Sequence, residues 1–129
     1  MKPLLAAAAV ALGGALGSLC RYFVSNWFAR QFGPGFPWAT FTINVTGAFA
    51  IGIVLQLAAT RGGLSPYLRL FIATGILGGY TTFSTFAYET YALSSDAFSW
   101  TSIAYAGGSV AAGVAAAILG VFFVRTVQP

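Results

Sequence analysis

The chain has 129 residues, with six Lys or Arg, two Asp or Glu and no His; 58% of it is hydrophobic and its mean hydropathy is +0.83. A chain this short buries only about two-thirds of its surface, so its exterior must itself be apolar, which excludes a water-soluble globular protein. A single cysteine, Cys20, and the absence of histidine exclude an intrachain disulfide framework and a Cys/His metal cluster, while the six cations are too scattered to make a nucleic-acid surface.

A membrane helix takes about 20 mostly apolar residues, and four stretches meet that length. The first, residues 4–28, is interrupted by Arg21. Its opening, MKPLLAAAAVALGG, resembles a signal peptide. Leu19 before Cys20 is too large for a lipoprotein cleavage site and three more spans follow, so the segment is read as a retained helix. Gly13 and Gly17 form a GxxxG on it, with Gly14 and Ser18 beside them, and small residues of this kind mark close helix contacts in lipid. The run QFGPGFP (31–37) ends the helix.

The second span, 39–60, carries no charge. Thr40 and Asn44 are four apart and share a face that Gly47 continues; Gly52 lies further on. The Asn44 amide has two donor hydrogens and one acceptor. It serves either an interhelical hydrogen bond or a solute path. RGGLSP (61–66) breaks the chain before the third span, 69–93.

That third span holds GILGGYTTFSTFAYE (75–89), the most informative run. Gly75 and Gly79 repeat the GxxxG, and Gly78–Gly79 is followed by Thr81, Thr82, Ser84 and Thr85. Glycine costs about 1 kcal/mol in a helix interior, so the helix is expected to break near residues 78–81. The alternative is a glycine kink with threonines bonded back to the preceding turn. Irregular backbone at membrane depth survives only when it is buried in protein or lines a polar cavity. Phe83 and Phe86, three apart, share a face flanked by Ser84 and Thr85. Ring edges carry positive potential and attract anions without a full charge. Glu89 closes the run.

SSDAFS (94–99) offers capping residues for the fourth span, 100–124, which is again uncharged. Tyr105 and Ser109 lie four apart on it, either as further hydroxyls in a path or as a packing contact; Ser109 and Gly113 are a small-residue pair at the same spacing. Short loops make neighbouring spans antiparallel and put both termini on one side. Lys2, Arg61, Arg69 and Arg125 fall on that side, against Arg21 and Arg30 on the other. The lean towards cytoplasmic termini is slight and compatible with insertion both ways.

The intramembrane polar groups are thus donors (Asn, Thr, Ser, Tyr, Arg21), with Glu89 the one carboxylate. Cation and proton pathways generally carry buried Asp or Glu. The small multidrug exporters, the rival class of matching size and the small-solute or cation antiporter alternative, have a carboxylate in the first span, where this chain has none. A narrow, donor-rich route suits a small anion.

Four segments together, GGALGSLCRY (13–22), PWATFTINVTGAF (37–49), GILGGYTTFSTFAYE (75–89) and AYAGGSVAAG (104–113), resemble the Fluc/CrcB fluoride channels. The resemblance implies an all-α membrane protein, not an enzyme, acting as an antiparallel, dual-topology homodimer in a bacterial plasma membrane (the inner membrane if Gram-negative). It implies two antiparallel pores exporting fluoride passively. Asn44, Phe83, Phe86, Ser84, Thr85, Tyr105, Ser109, Thr40 and Glu89 would line the path, with Arg21 near a vestibule. The carbonyls of Gly78 and Thr81 would hold a structural sodium ion on the dimer axis. Ala87 and Gly113 stand where relatives carry serines, which removes two hydroxyls from the implied track.

Overall fold

The computed structural model describes residues 2–60, 63–94 and 99–127. Arg61 and Asp96, and with them most of the SSDAFS segment, lie outside the described residues. Among the described residues all regular structure is helical. Helix α1 is Pro3–Phe32, a turn longer than expected, opened by a proline at its first position and closed at Gly33, whose φ of 66° suits only glycine. Helix α2 is Trp38–Ala59. Helix α3 starts at Pro66 behind Ser65, whose hydroxyl accepts from the Leu68 N–H at 3.3 Å. It continues through Leu70–Leu77 and Gly78–Tyr80. Thr81 and Thr82 are extended, α4 is Phe83–Ala92, and α5 is Trp100–Val127. Four spans are long and apolar enough to cross a membrane: Pro3–Phe32, Trp38–Ala59, Pro66–Ala92 and Trp100–Val127.

The third span is therefore interrupted, but later than its glycines suggest. Gly78 is still helical (φ −64°, ψ −36°), and the chain leaves the helix at Thr81 (φ −76°, ψ 159°) and Thr82 (φ −149°, ψ 116°). A second irregularity has no counterpart in the sequence reading: Leu70–Leu77 is π-helical, a form that occurs mostly as single-turn bulges.

Glycine contacts pair the helices. A Cβ on Gly13 would strike the Phe71 carbonyl and one on Gly17 the Ile76 carbonyl. Gly75 meets Gly13, and Gly79 meets the Gly14 carbonyl. The two GxxxG motifs thus face one another and clamp α1 on α3. Gly52 against the Ala117 carbonyl and Gly120 against the Phe49 carbonyl do the same for α2 and α5. Gly113 departs from expectation: its Cβ position is open, as are those of Gly107 and Gly108, whereas Ser109, four residues earlier, is buried. The fully buried large side chains are few, Ile43 and Tyr105, whereas Leu12, Leu16, Phe23, Ile118 and Phe122 face outward. Such an exterior suits lipid as its solvent.

Candidate functional site: a polar path beside the helix break

Side chains take up the backbone groups that the break frees. In an unbroken helix the Thr82 N–H would bond the Gly78 carbonyl four residues back. Here it donates to Asn44 Oδ1 at 2.9 Å, while Asn44 Nδ2 donates to the Thr82 carbonyl at 3.1 Å. The Thr85 N–H, due to the Thr81 carbonyl, donates instead to Thr82 Oγ1 at 3.3 Å, capping α4. The carbonyls of Gly78 and Thr81 are thereby released from their helical donors. The two residues line a cavity of about 330 Å³ with Asn44, Gly47 and Leu77.

On the other side of the break, Asn44, Thr82, Phe83, Phe86 and Ser109 line a cavity of about 260 Å³. Two donors there remain unsatisfied. Ser109 Oγ is buried with no hydrogen-bond partner among the described residues, although buried polar atoms nearly always have one. Asn44 keeps its second amide hydrogen, since one serves Thr82. Phe83 and Phe86 touch, with ring centroids 5.9 Å apart at 50°, and Phe83 stands 79% exposed on the open side.

A chain of hydroxyls leads away from this cavity. Thr82 Oγ1 donates to Thr85 Oγ1 at 3.0 Å and lies 3.5 Å from Ser84 Oγ. Thr85 lines a third and larger cavity, about 490 Å³, between the end of α1, residues 33–37 and α4. Thr40 and Glu89 line it too. Thr40 Oγ1 donates to Glu89 Oε1 at 2.9 Å, and the Tyr105 hydroxyl donates to Oε2 at 2.7 Å. Tyr105 is 1% exposed, with Phe86 and Phe36 rings each 5.4 Å from its own.

Most of the residues singled out from the sequence therefore meet in one region: Asn44, Phe83, Phe86 and Ser109 at the inner cavity, and Thr85, Thr40 and Glu89 at the vestibule, with Ser84 beside the hydroxyl chain and Tyr105 behind Glu89. Arg21 is half-buried on α1 and not in the polar cluster; Ser25, one turn on, lines the vestibule. Ala87 faces outward. Two residues escaped the sequence reading. Thr82 caps α4 and bridges both cavities' hydroxyls, and only its place in the hydroxyl run hinted at it. Phe36 packs edge-on to Tyr105 from a segment read as a helix terminator.

Comparison with known proteins places the chain in a family. A family profile described as CrcB-like protein, Camphor Resistance (CrcB), matches residues 8–121. A fluoride-specific ion channel FluC of Acidobacterium capsulatum is 50% identical over 111 residues, covering 86% of this chain and 89% of its own length. One from Thermus thermophilus is 49% identical, covering 86% and 87%, and one from Chloroflexus aurantiacus is 47% identical, covering 88% and 90%. With matches of that extent at either end of the break and across all four spans, the chain belongs to the CrcB family.

Proposed function

We propose that the protein is a passive, fluoride-selective channel of a bacterial plasma membrane, and that it acts as an antiparallel homodimer. Ser109 carries the reading: a buried hydroxyl without a partner, facing a cavity that also holds a spare amide hydrogen and two phenyl rings. A small anion entering this cavity exchanges water for the Ser109 hydroxyl, the second Asn44 N–H and the ring edges of Phe83 and Phe86. No full positive charge sits among these groups, so the ion is not trapped. Thr82, Thr85 and Ser84 continue the donors towards the vestibule. Glu89 is held there by Thr40 and Tyr105, which fixes Tyr105 against Phe86. With the cell interior negative, each anion is driven outward by about 2.3 kcal/mol per 100 mV, so an open selective path suffices for export.

Two features favour a second copy with opposite orientation. Phe83, next to the break, faces outward although irregular backbone in a membrane helix needs a protein cover, and a second copy would complete that cover. So few cations, four at one end and two at the other, give only a slight lean, which is compatible with insertion both ways. The carbonyls of Gly78, in the last helical turn, and Thr81, in the extended break, both lack their helical donors and fit a structural sodium ion, because free backbone carbonyls at a helix break are ligands of this kind. When bound, sodium would supply a fixed positive charge that holds the two breaks together.

Purified protein in liposomes should release fluoride, read with a fluoride electrode, and retain chloride. Equal release of chloride, or transport that needs a proton gradient, would overturn the reading.

A further inference from the structure

We infer that the outer face of α1, at its C-terminal end, binds one glycerophospholipid with an anionic headgroup, Arg30 taking the phosphate and Asn26 an ester oxygen beneath it. Gly17 presses on the Ile76 carbonyl of α3 and so marks the inner seam of α1. Tyr22, Asn26 and Arg30 lie about 140°, 180° and 220° around the helix from that seam. The row therefore points away from the bundle, and Tyr22, Arg30 and the neighbouring Phe23 and Trp27 are exposed. Together the five residues line a cavity of about 310 Å³.

The chemistry of the cavity names its occupant. None of the side chains of Tyr22, Asn26 and Arg30 makes a hydrogen bond or an ion pair with another described residue. Glu89, the one acid among the described residues, is engaged by Thr40 and Tyr105. The free groups are also graded with depth. Arg30 lies in the last turn of α1, at the end that carries the tryptophans, and tryptophan settles at headgroup level. Asn26 is about 6 Å further in and Tyr22 about 12 Å. A phospholipid presents a matching series from the surface inward: phosphate, ester carbonyls, acyl chains. A planar guanidinium meets phosphate through two parallel N–H bonds, and the Asn26 amide offers hydrogens to an ester carbonyl. Tyr22, Phe23 and Trp27 lay their rings along the chains, with the Tyr22 hydroxyl reaching up towards the esters. An uncompensated cation favours a headgroup of net negative charge over a zwitterionic one. The inner side of the same helix end, at Ser25, Phe28 and Phe32, lines the vestibule, so the lipid braces a vestibule wall from outside.

Native mass spectrometry of the detergent-purified protein, titrated with dioleoyl-phosphatidylglycerol or dioleoyl-phosphatidylcholine, tests the site. The wild type should hold one phosphatidylglycerol per chain, more tightly than phosphatidylcholine. Arg30→Gln should weaken phosphatidylglycerol binding about tenfold, the worth of a charged hydrogen bond, and abolish the preference. Arg30→Lys should keep the preference at lower affinity, because the charge stays and the fork is lost. Asn26→Leu should weaken both lipids alike, roughly fivefold, since both carry the esters. Arg69→Gln, at the other end of the bundle, should change neither. The ratio of the two affinities is read within one preparation, so a loss of stability does not mimic a loss of preference. A wild type without preference, or an equal loss in Arg69→Gln, would overturn the inference and leave only general attraction to cations. Displacement of the lipid by inorganic phosphate would overturn it in favour of a water-facing anion site. A changed number of chains per particle in Arg30→Gln would overturn it in favour of a contact between copies.

Discussion

At the scale of single residues, the decisive chemistry is incomplete hydrogen bonding. A buried hydroxyl left without a partner is unfavourable by about 1–3 kcal/mol, and Ser109 is in that position within this chain. On the proposed reading, an arriving anion would remove the penalty. Ser109→Ala should therefore fold and lower fluoride flux roughly fivefold, the worth of about one hydrogen bond, in the liposome assay. Flux at the wild-type level would assign the hydroxyl no part in conduction. Phe83 and Phe86 make a sharper case, because replacing each by isoleucine keeps an apolar side chain and removes the positive ring edge. Either substitution should cut flux by more than Ser109→Ala does while size-exclusion behaviour stays that of wild type; undiminished flux would reduce the rings to packing. Asn44 shows why its two sequence readings did not exclude each other. An amide has enough hydrogens to tie α2 to Thr82 and still present one to a solute.

At the scale of elements, glycine placement decides which helices mate. Gly17 faces the Ile76 carbonyl, whereas the Cβ position of Gly14, three residues earlier, is open. Gly17→Ala should lower stability by about 1–3 kcal/mol, as overpacking does, and Gly14→Ala should be neutral or nearly so. Thermal unfolding in detergent separates them, and equal losses would mean the clamp is not where the backbones touch. Much of this was legible in the sequence. Apolar length gave the four spans, and paired GxxxG motifs gave the close contacts. The hydroxyl run after Gly78–Gly79 gave an interrupted third span. Its exact position was not legible, because the helix ends where Asn44 captures the Thr82 N–H, 38 residues away in sequence, rather than where glycine is weakest. The Glu89 pairing with Thr40 and Tyr105 hid for the same reason: it joins three helices, and no spacing within one helix encodes it. The π-helical stretch LFIATGIL has no compositional signature at all.

At the scale of the whole molecule, the two ends differ. Trp27, Trp38 and Trp100 lie at the end carrying residues 33–37, with Tyr22, Tyr88 and Tyr91. Lys2, Arg69 and Arg125 lie at the other. Aromatic residues anchor at either membrane interface, whereas cations prefer the cytoplasmic side. Arg30 shares the tryptophan end and Tyr67 the other; a parallel pair would still place all its tryptophans in one leaflet, whereas an antiparallel pair gives each leaflet the same mixture. A single cysteine introduced as Gly35→Cys in a Cys20→Ser background should react with a membrane-impermeant thiol reagent from both sides of the membrane. Labelling from one side only would defeat dual topology. Adding lysines beside Gly35 should shift that ratio, since so few charges set it.

The reciprocal pair between Asn44 and the Thr82 peptide has a wider meaning. A carboxamide presents the same two atoms as a main-chain amide, so α2 contributes a counterfeit strand residue, and the rupture is mended by a two-bond rung of the sort that joins neighbours in a sheet. The lesion in the third span is thus closed by protein groups. On the proposed path, an ion shedding its hydration shell would pass a wall whose main-chain donor and acceptor at Thr82 are already engaged.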